Sequence, residues 1–236
     1  GGLGAGPARP RARGVTWSAR GYRRRRSRCR CLECSQRGRR PGCDVSDDGL
    51  VRCGWADVRS GLHWQLYRNY HDQEWGSPVR CGVALFERMS LEAFQSGLSW
   101  LLILRKRENF RRAFSGFDIE EVARYTHADV QRLLFDDGIV RNRVKIEATI
   151  ANARAAAELG SAADLSELLW SFAPQPRSRP ADGSEIPSTS AEAKAMAREL
   201  KRRGFRFVGP TTAYALMQAT GMVDDHICTC WVPPTR

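Results

Sequence analysis

From about residue 51 onward the apolar residues recur at helical spacing, and no run alternates as a half-buried strand would. That periodicity restricts the body of the chain to helices packed on helices. In VALFERMSLEAFQS (83–96), Leu85, Phe86, Met89 and Ala93 fall on one helical face. Residues 118–125 and 128–136 read as two short helices. Asp137-Gly138 breaks the second, and Arg143 to Leu159 reads as a long Ala-rich helix. Four Pro and several Ser make 174–190 a loop. Thr189-x-x-Glu192 is a capping-box pattern that predicts the start of a helix running to about Arg203. Gly204 stops it, Pro210 opens another, and Gly221 ends that one. The expected class is therefore all-α, a compact multi-helix domain without internal repeats.

At 236 residues, with 7 Trp and 9 Phe, the chain has material for one sizeable core and is not collagen-like, a coiled coil or wholly disordered. No apolar run approaches the length of a membrane span, and GGLGAGPARPRARG at the start holds no apolar signal core. Net charge is +12, but residues 1–50 carry 13 Arg against 4 acids, so the body is only mildly basic. Two segments follow: an Arg-rich extension, 1–50, expected to be disordered, and a single domain, 51–236. Cys29, Cys31, Cys34 and Cys43 in the extension lack the usual paired zinc spacing and are expected to be incidental. The extension itself would add salt-sensitive attraction to nucleic acid.

One turn stands out. Lys201-Arg202-Arg203-Gly204-Phe205-Arg206-Phe207-Val208-Gly209-Pro210-Thr211-Thr212 joins two helices through a glycine-bounded hairpin. Gly204 and Gly209 permit positive φ and close backbone approach, and Phe205, Phe207 and Val208 can anchor the turn. Backbone N–H groups after Gly209 point outward at the positive end of a helix dipole, which makes a sequence-blind phosphate clamp with Arg206 and Thr211 beside it. The pattern resembles the helix-hairpin-helix element of DNA repair glycosylases; an ordinary helix–helix turn is the alternative. Glycosylases that also cut the backbone place a Lys just after the second glycine, where this chain has Pro210, Thr211 and Thr212, so Schiff-base chemistry is disfavoured.

The body has few His, and two of them sit near Cys at its opposite ends. Cys53 precedes His71, and His226 precedes both Cys228 and Cys230. Two neutral imidazoles and two thiolates suit a closed, structural Zn²⁺ site that would cross-link the domain termini. From spacing alone, Cys228 competes with Cys230, and separate buried Cys and His remain possible.

A series of ordered motifs carries a resemblance. These are R-C-G-W (52–55), Y-x-x-Y-H-D-x-E-W-G (67–76), L-E-x-x-Q-x-G-L-S-W (91–100), K-R-E-N-F (106–110), D-x-G-I-V-R-N-R-x-K-I (136–146) and Ser184-Glu185-Ile186-Pro187-Ser188-Thr189-Ser190. R-G-F-R-F-V-G-P-T (203–211) and G-M-V-D-D-H (221–226) complete the series. Together they resemble the DNA-3-methyladenine glycosylase I (Tag-type) family over about 51–236. The resemblance implies an all-α helix-hairpin-helix glycosylase that bears structural zinc and excises 3-methyladenine from double-stranded DNA containing alkylated bases. It places the zinc ligands on Cys53, His71, His226 and Cys230.

On the 83–96 helix Glu92 borders the apolar face, so its carboxylate should be partly desolvated and want a partner. A buried salt bridge is one outcome; the resemblance assigns Glu92 to the lesion pocket instead. It places Tyr70 and Trp100 as aromatic walls, with Trp55 and Tyr67 as neighbours, although each could equally be core. Gly97-Leu98 follows that helix and reads as the wedge that fills a vacated base stack. Where the family usually has Asn, this chain has Asp224, for which a minor electrostatic role is expected. About five extra residues around Val58–Gln65, and Ala93 and Ser96 at small-residue positions, are further departures. A silent DNA-binding module with a zinc clasp and an RNA-binding protein led by its Arg-rich tail are the other readings. Cytoplasmic placement is expected from the thiolate site and the lack of a signal core, and the expected state is a monomer with no membrane partner.

Overall fold

The computed structural model describes residues 48–56 and 63–235; the four Cys of the extension and most of the extra residues near Val58 lie outside them. Among the described residues the regular elements are all helical. They are α1 (Trp64–Gln73), α2 (Gly82–Gln95), α3 (Trp100–Ala113), α4 (Ile119–Ala123), α5 (His127–Phe135), α6 (Arg143–Ala157), α7 (Ala162–Trp170), α8 (Ala191–Arg202) and α9 (Pro210–Ala219). Single 3-10 turns lie at Ser115–Phe117 and Gly183–Glu185. None of these helices is long and apolar enough to cross a membrane.

Helix α2 is the axis of the fold and packs against α3, α6, α7 and α9. Leu85, Phe86, Met89 and Ala93, its expected apolar face, are all buried. Phe86, Phe94, Phe110, Phe114 and Phe117 are fully enclosed, with Phe94 and Phe110 centroids 4.6 Å apart. Burial of each such ring contributes roughly 1.5–3 kcal/mol, and the cluster packs α2, α3 and the following 3-10 turn together.

Helix α6 ties two loops to the core. The Lys145 ammonium donates to the carbonyls of Phe94 (2.9 Å) and Ser96 (2.6 Å), which closes the C-terminal end of α2. Two turns later Asn152 accepts from the Arg206 N–H (2.7 Å) and donates to the Arg206 carbonyl (3.0 Å), which fixes the turn between α8 and α9.

Two local expectations are corrected. Helix α8 is capped by Ser190, whose hydroxyl accepts from the Ala193 N–H; Thr189 lies one residue outside and its hydroxyl reaches the Pro210 carbonyl. Adjacent hydroxyl residues are equivalent cappers in sequence, and the contact to α9 selects between them. In the hairpin Gly204 does take a left-handed φ of +89°, but Gly209 is extended at φ −76° and the second positive φ, 57°, falls on Phe207. A Cβ at Gly209 would meet nothing within 4 Å, so the fold itself does not require glycine there.

Candidate functional site

The two ends of the described body converge on four buried ligand-type side chains. Cys53 precedes α1, His71 lies in its last turn, and His226 and Cys230 follow α9. Their ligand atoms all lie within 4.8 Å of one another. Cys53 Sγ is 3.6 Å from His226 Nδ1, and Cys230 Sγ is 3.5 Å from His226 Nδ1 and 3.6 Å from His71 Nε2. A tetrahedral zinc with ordinary Zn–S and Zn–N bonds requires S···N spacings of roughly 3.5 Å.

The remaining imidazole nitrogens are committed elsewhere. His71 Nδ1 meets Asp72 Oδ1 (2.8 Å), and His226 Nε2 meets the Trp75 carbonyl (3.1 Å). Each partner is an acceptor, so a neutral ring would turn its bare nitrogen toward the thiols. Burial pushes the Asp72 carboxyl up, but hydrogen bonds from Arg52, His71 and Trp231 outweigh it and hold the group below its ordinary range. The contact with Cys53 pushes the Cys230 thiol down, while the same contact and burial push Cys53 up. A cation at the centre of the group would favour both as thiolates. Gly76 is needed here: its φ is +76°, and a Cβ would come within 3.0 Å of His226 Nε2. Cys228 is exposed and outside the cluster.

Beside the cluster opens a cavity of about 630 Å³ whose walls include Trp55, Tyr67, Tyr70, Glu92 and Trp100. Cys53 borders both sites, and Trp75 stacks on His71 while lining the cavity. The Tyr70 and Trp100 rings are 5.3 Å apart, and Trp55 meets Tyr67 edge-on at 5.7 Å. Glu92 is 6% exposed, and among the described residues its carboxylate has no hydrogen-bond partner. Burial pushes it up to about 8, with Arg88 opposing. The salt-bridge alternative is not what this geometry contains. The Trp100 indole N–H is likewise buried without a partner. Burial, aided by Glu92, also pushes Tyr70 well above the phenol range.

The remaining sequence candidates lie on the surface. Gly97 takes φ +79° and Leu98 is 38% exposed in the loop between α2 and α3. Gly204, Arg206, Gly209 and Thr211 are exposed on the α8–α9 turn. Asp224 is outside the cavity lining: it pairs with Arg179 (2.9 Å), which also donates to the Val232 carbonyl (2.7 Å) and so holds the C-terminal segment.

Sequence reasoning missed Gln95, Asp182 and Gln218 among the cavity walls, and missed Asp225 behind them. Asp225 is buried and accepts from Tyr214 (2.7 Å), Gln218 (2.9 Å) and Arg177 (2.6 Å). Gln95 stands one turn after Glu92, a spacing that could have flagged it. Nothing local distinguishes Asp225 from Asp224.

A family model described as methyladenine glycosylase matches residues 61–233. The chain is 44% identical over 188 residues to DNA-3-methyladenine glycosylase 1 of Escherichia coli (strain K12), covering 78% of this chain and 98% of that protein. It is 39% identical over 184 residues to the DNA-3-methyladenine glycosylase of Haemophilus influenzae, covering 76% and 96% respectively. A crystal structure of 3-methyladenine DNA glycosylase I superposes with a TM-score of 0.72 at 42% identity, over 78% of this chain and all of that one. A structure of the Staphylococcus aureus enzyme, concerned with 3-methyladenine recognition, superposes with a TM-score of 0.72 at 33% identity, over 78% and 97%.

Proposed function

The chain belongs to the methyladenine glycosylase family, and on that premise we propose that it hydrolyses the N-glycosidic bond of 3-methyladenine in alkylated double-stranded DNA. The observation that carries this reading is Glu92: a buried carboxylate with no hydrogen-bond partner among the described residues, lining a cavity walled by Tyr70 and Trp100. A buried polar group left open in this way is costly unless a ligand completes it.

The lesion supplies what the pocket lacks. Methylation at N3 makes adenine cationic, with an exocyclic amine that donates. Glu92 accepts from that edge and favours the positive charge, and the base lies against Tyr70 and Trp100. Stacking a desolvated cation on aromatic faces contributes about 2 kcal/mol, which offsets part of the roughly few kcal/mol needed to unstack and flip the base. Trp55 and Tyr67 complete the wall. Leu98, exposed beside Gly97, fills the gap in the stack.

A cationic base departs neutral, so no strong general acid is required. The pocket selects the cation and holds the flipped nucleotide while charge moves to the sugar. Water attacks the anomeric carbon, and free 3-methyladenine and an abasic site result. Pro210 after the hairpin glycine leaves no amine for Schiff-base chemistry, so the enzyme is monofunctional. The α8–α9 turn acts as a helix-hairpin-helix phosphate clamp through backbone N–H groups after Gly209, with Arg206 and Thr211 adjacent. The open side of Gly209 leaves room for a phosphate.

Cys53, His71, His226 and Cys230 would hold one structural Zn²⁺, which supplies a cross-link and no open coordination position. The catalytic domain is 51–236, and 1–50 adds only non-specific, salt-sensitive DNA attraction. The protein acts as a cytoplasmic monomer. Chromatographic identification of bases released from methylated DNA, with a metal assay on the same sample, tests the reading. Release of 3-methyladenine with one zinc per chain is expected; DNA binding without base release would reduce the protein to a binding module.

A further inference from the structure

The proposed pocket needs Glu92 as an anion, yet its enclosure opposes ionisation. The groups around it show what counters this. On α2, Arg88 lies one turn before Glu92, on the same side of the helix. Its Nη2 donates to Glu74 Oε2 at 2.6 Å, and Glu74 is also gripped by Arg107 of α3 through two bonds of 2.7 and 2.9 Å. Arg88 Nη1 is buried without a hydrogen-bond partner, and the guanidinium carbon lies 5.8 Å from the centre of the Tyr70 ring.

The other charged and titratable groups near α2 are committed elsewhere. Tyr70 faces Glu92 from α1 as a neutral phenol. Glu87 is paired with Arg111 of α3, and Lys145 of α6 is spent on the Phe94 and Ser96 carbonyls. Asp225 lies behind Gln218 of α9 and is bound to Arg177, and Asp182 is exposed in the loop that lines the cavity. Glu74 has two arginines for one negative charge, so the Arg88–Glu74–Arg107 group carries a surplus positive charge beside the pocket.

We propose that Arg88 is a positioning residue for the glycosylase reaction: anchored by Glu74 behind Tyr70, its surplus charge makes the anionic form of Glu92 easier to reach without touching the base. This rests on the glycosylase reading of the pocket. Arg88 is kept out of the cavity lining, which matters for the chemistry. A cation in contact with Glu92 would occupy the place of the lesion, whereas one held a turn away favours the carboxylate and leaves its oxygens open. The indirect arrangement thus separates charge support from ligand contact.

The test is the pH profile of kcat/KM for base release in the wild type, Arg88→Met and Arg88→Lys. Arg88→Met keeps the Glu74–Arg107 pair, so the fold is retained. Loss of about one pH unit of electrostatic support corresponds to roughly tenfold slower release at pH 7. The deficit should shrink to within about threefold by pH 9, where Glu92 ionises without help, and Arg88→Lys should restore the wild-type profile. An equal loss at every pH would show a merely structural role and overturn the inference. In parallel, the Glu92 carboxyl titration is followed by 13C NMR, its signal assigned by its disappearance in Glu92→Gln. Its midpoint should rise in Arg88→Met by about one unit, and an unmoved midpoint would also overturn the inference. If the wild type releases no base, the glycosylase reading fails, and the carboxyl titration still decides whether Arg88 supports Glu92.

Discussion

The four-residue cluster and the cavity lie side by side, share Cys53 and Trp75, and are built on opposite rules. In the cluster the Cys and His side chains face one another, and each imidazole's outer nitrogen meets an acceptor. In the cavity the Glu92 carboxylate and the Trp100 indole N–H are left without partners among the described residues. Both regions are buried, so exposure does not explain the contrast. The closed group can be complete with a single ion, whereas the open one is complete only when a larger polar ligand arrives. The saturated group suits a role in holding the fold together, and the open one suits a role in receiving a ligand.

That contrast can be broken from either side. The largest effect is expected at Glu92. Glu92→Gln keeps shape and removes the anion, and single-turnover excision of 3-methyladenine should fall on the order of a hundredfold or more with the melting temperature held or raised. Unchanged kinetics would place recognition elsewhere. Next is the cluster. Cys230→Ser, or chelation, should lower stability by more than about 3 kcal/mol, on the order of 10 °C in Tm, with loss of bound zinc. Thermal melts beside metal analysis check this, and a metal-free protein of unchanged Tm would refute the cross-link.

The third expectation concerns pH. Glu92 is raised from 4.5 to about 8 in the folded chain. Between those values the folded state holds a proton that the unfolded state has released, so its contribution to stability falls as pH rises. Wild-type stability relative to Glu92→Gln should therefore decline from about pH 4.5 to about pH 8 and be level above that. A flat difference would mean that Glu92 is not enclosed. The smallest effect belongs to Asp224, whose carboxylate is paired with Arg179 away from the cavity. Asp224→Asn should change excision less than about threefold while costing roughly 1 kcal/mol of stability. A hundredfold loss of excision with intact binding would instead make it a principal catalyst.

Much of this was legible before the coordinates. The Leu85, Phe86, Met89 and Ala93 stripe is carried by one helix and could be read from spacing, and it placed Glu92 at the edge of the core. Cys and His at the two ends of the body stood out because they are chemically distinctive and few, but the choice of Cys230 over Cys228 came from the family resemblance. What stayed hidden depends on packing between distant segments. Gln218 and Asp182 reach the cavity from α9 and a loop in the 180s, and neither has a local signature. Asp224 and Asp225 are neighbours of identical chemistry, yet one braces the C-terminal segment and the other lies buried behind the cavity wall. The choice between Thr189 and Ser190 as a cap was decided by where α9 begins.

Helix α6 has a consequence for how the protein would hold a duplex. Lys145 and Asn152 are seven residues apart on a single rod, roughly 10 Å at 1.5 Å per residue, and each fastens one of the two loops assigned to DNA. The proposed Leu98 wedge and the proposed phosphate clamp would thereby be mounted on a common ruler. On the proposed roles, their separation would be set before any encounter with DNA.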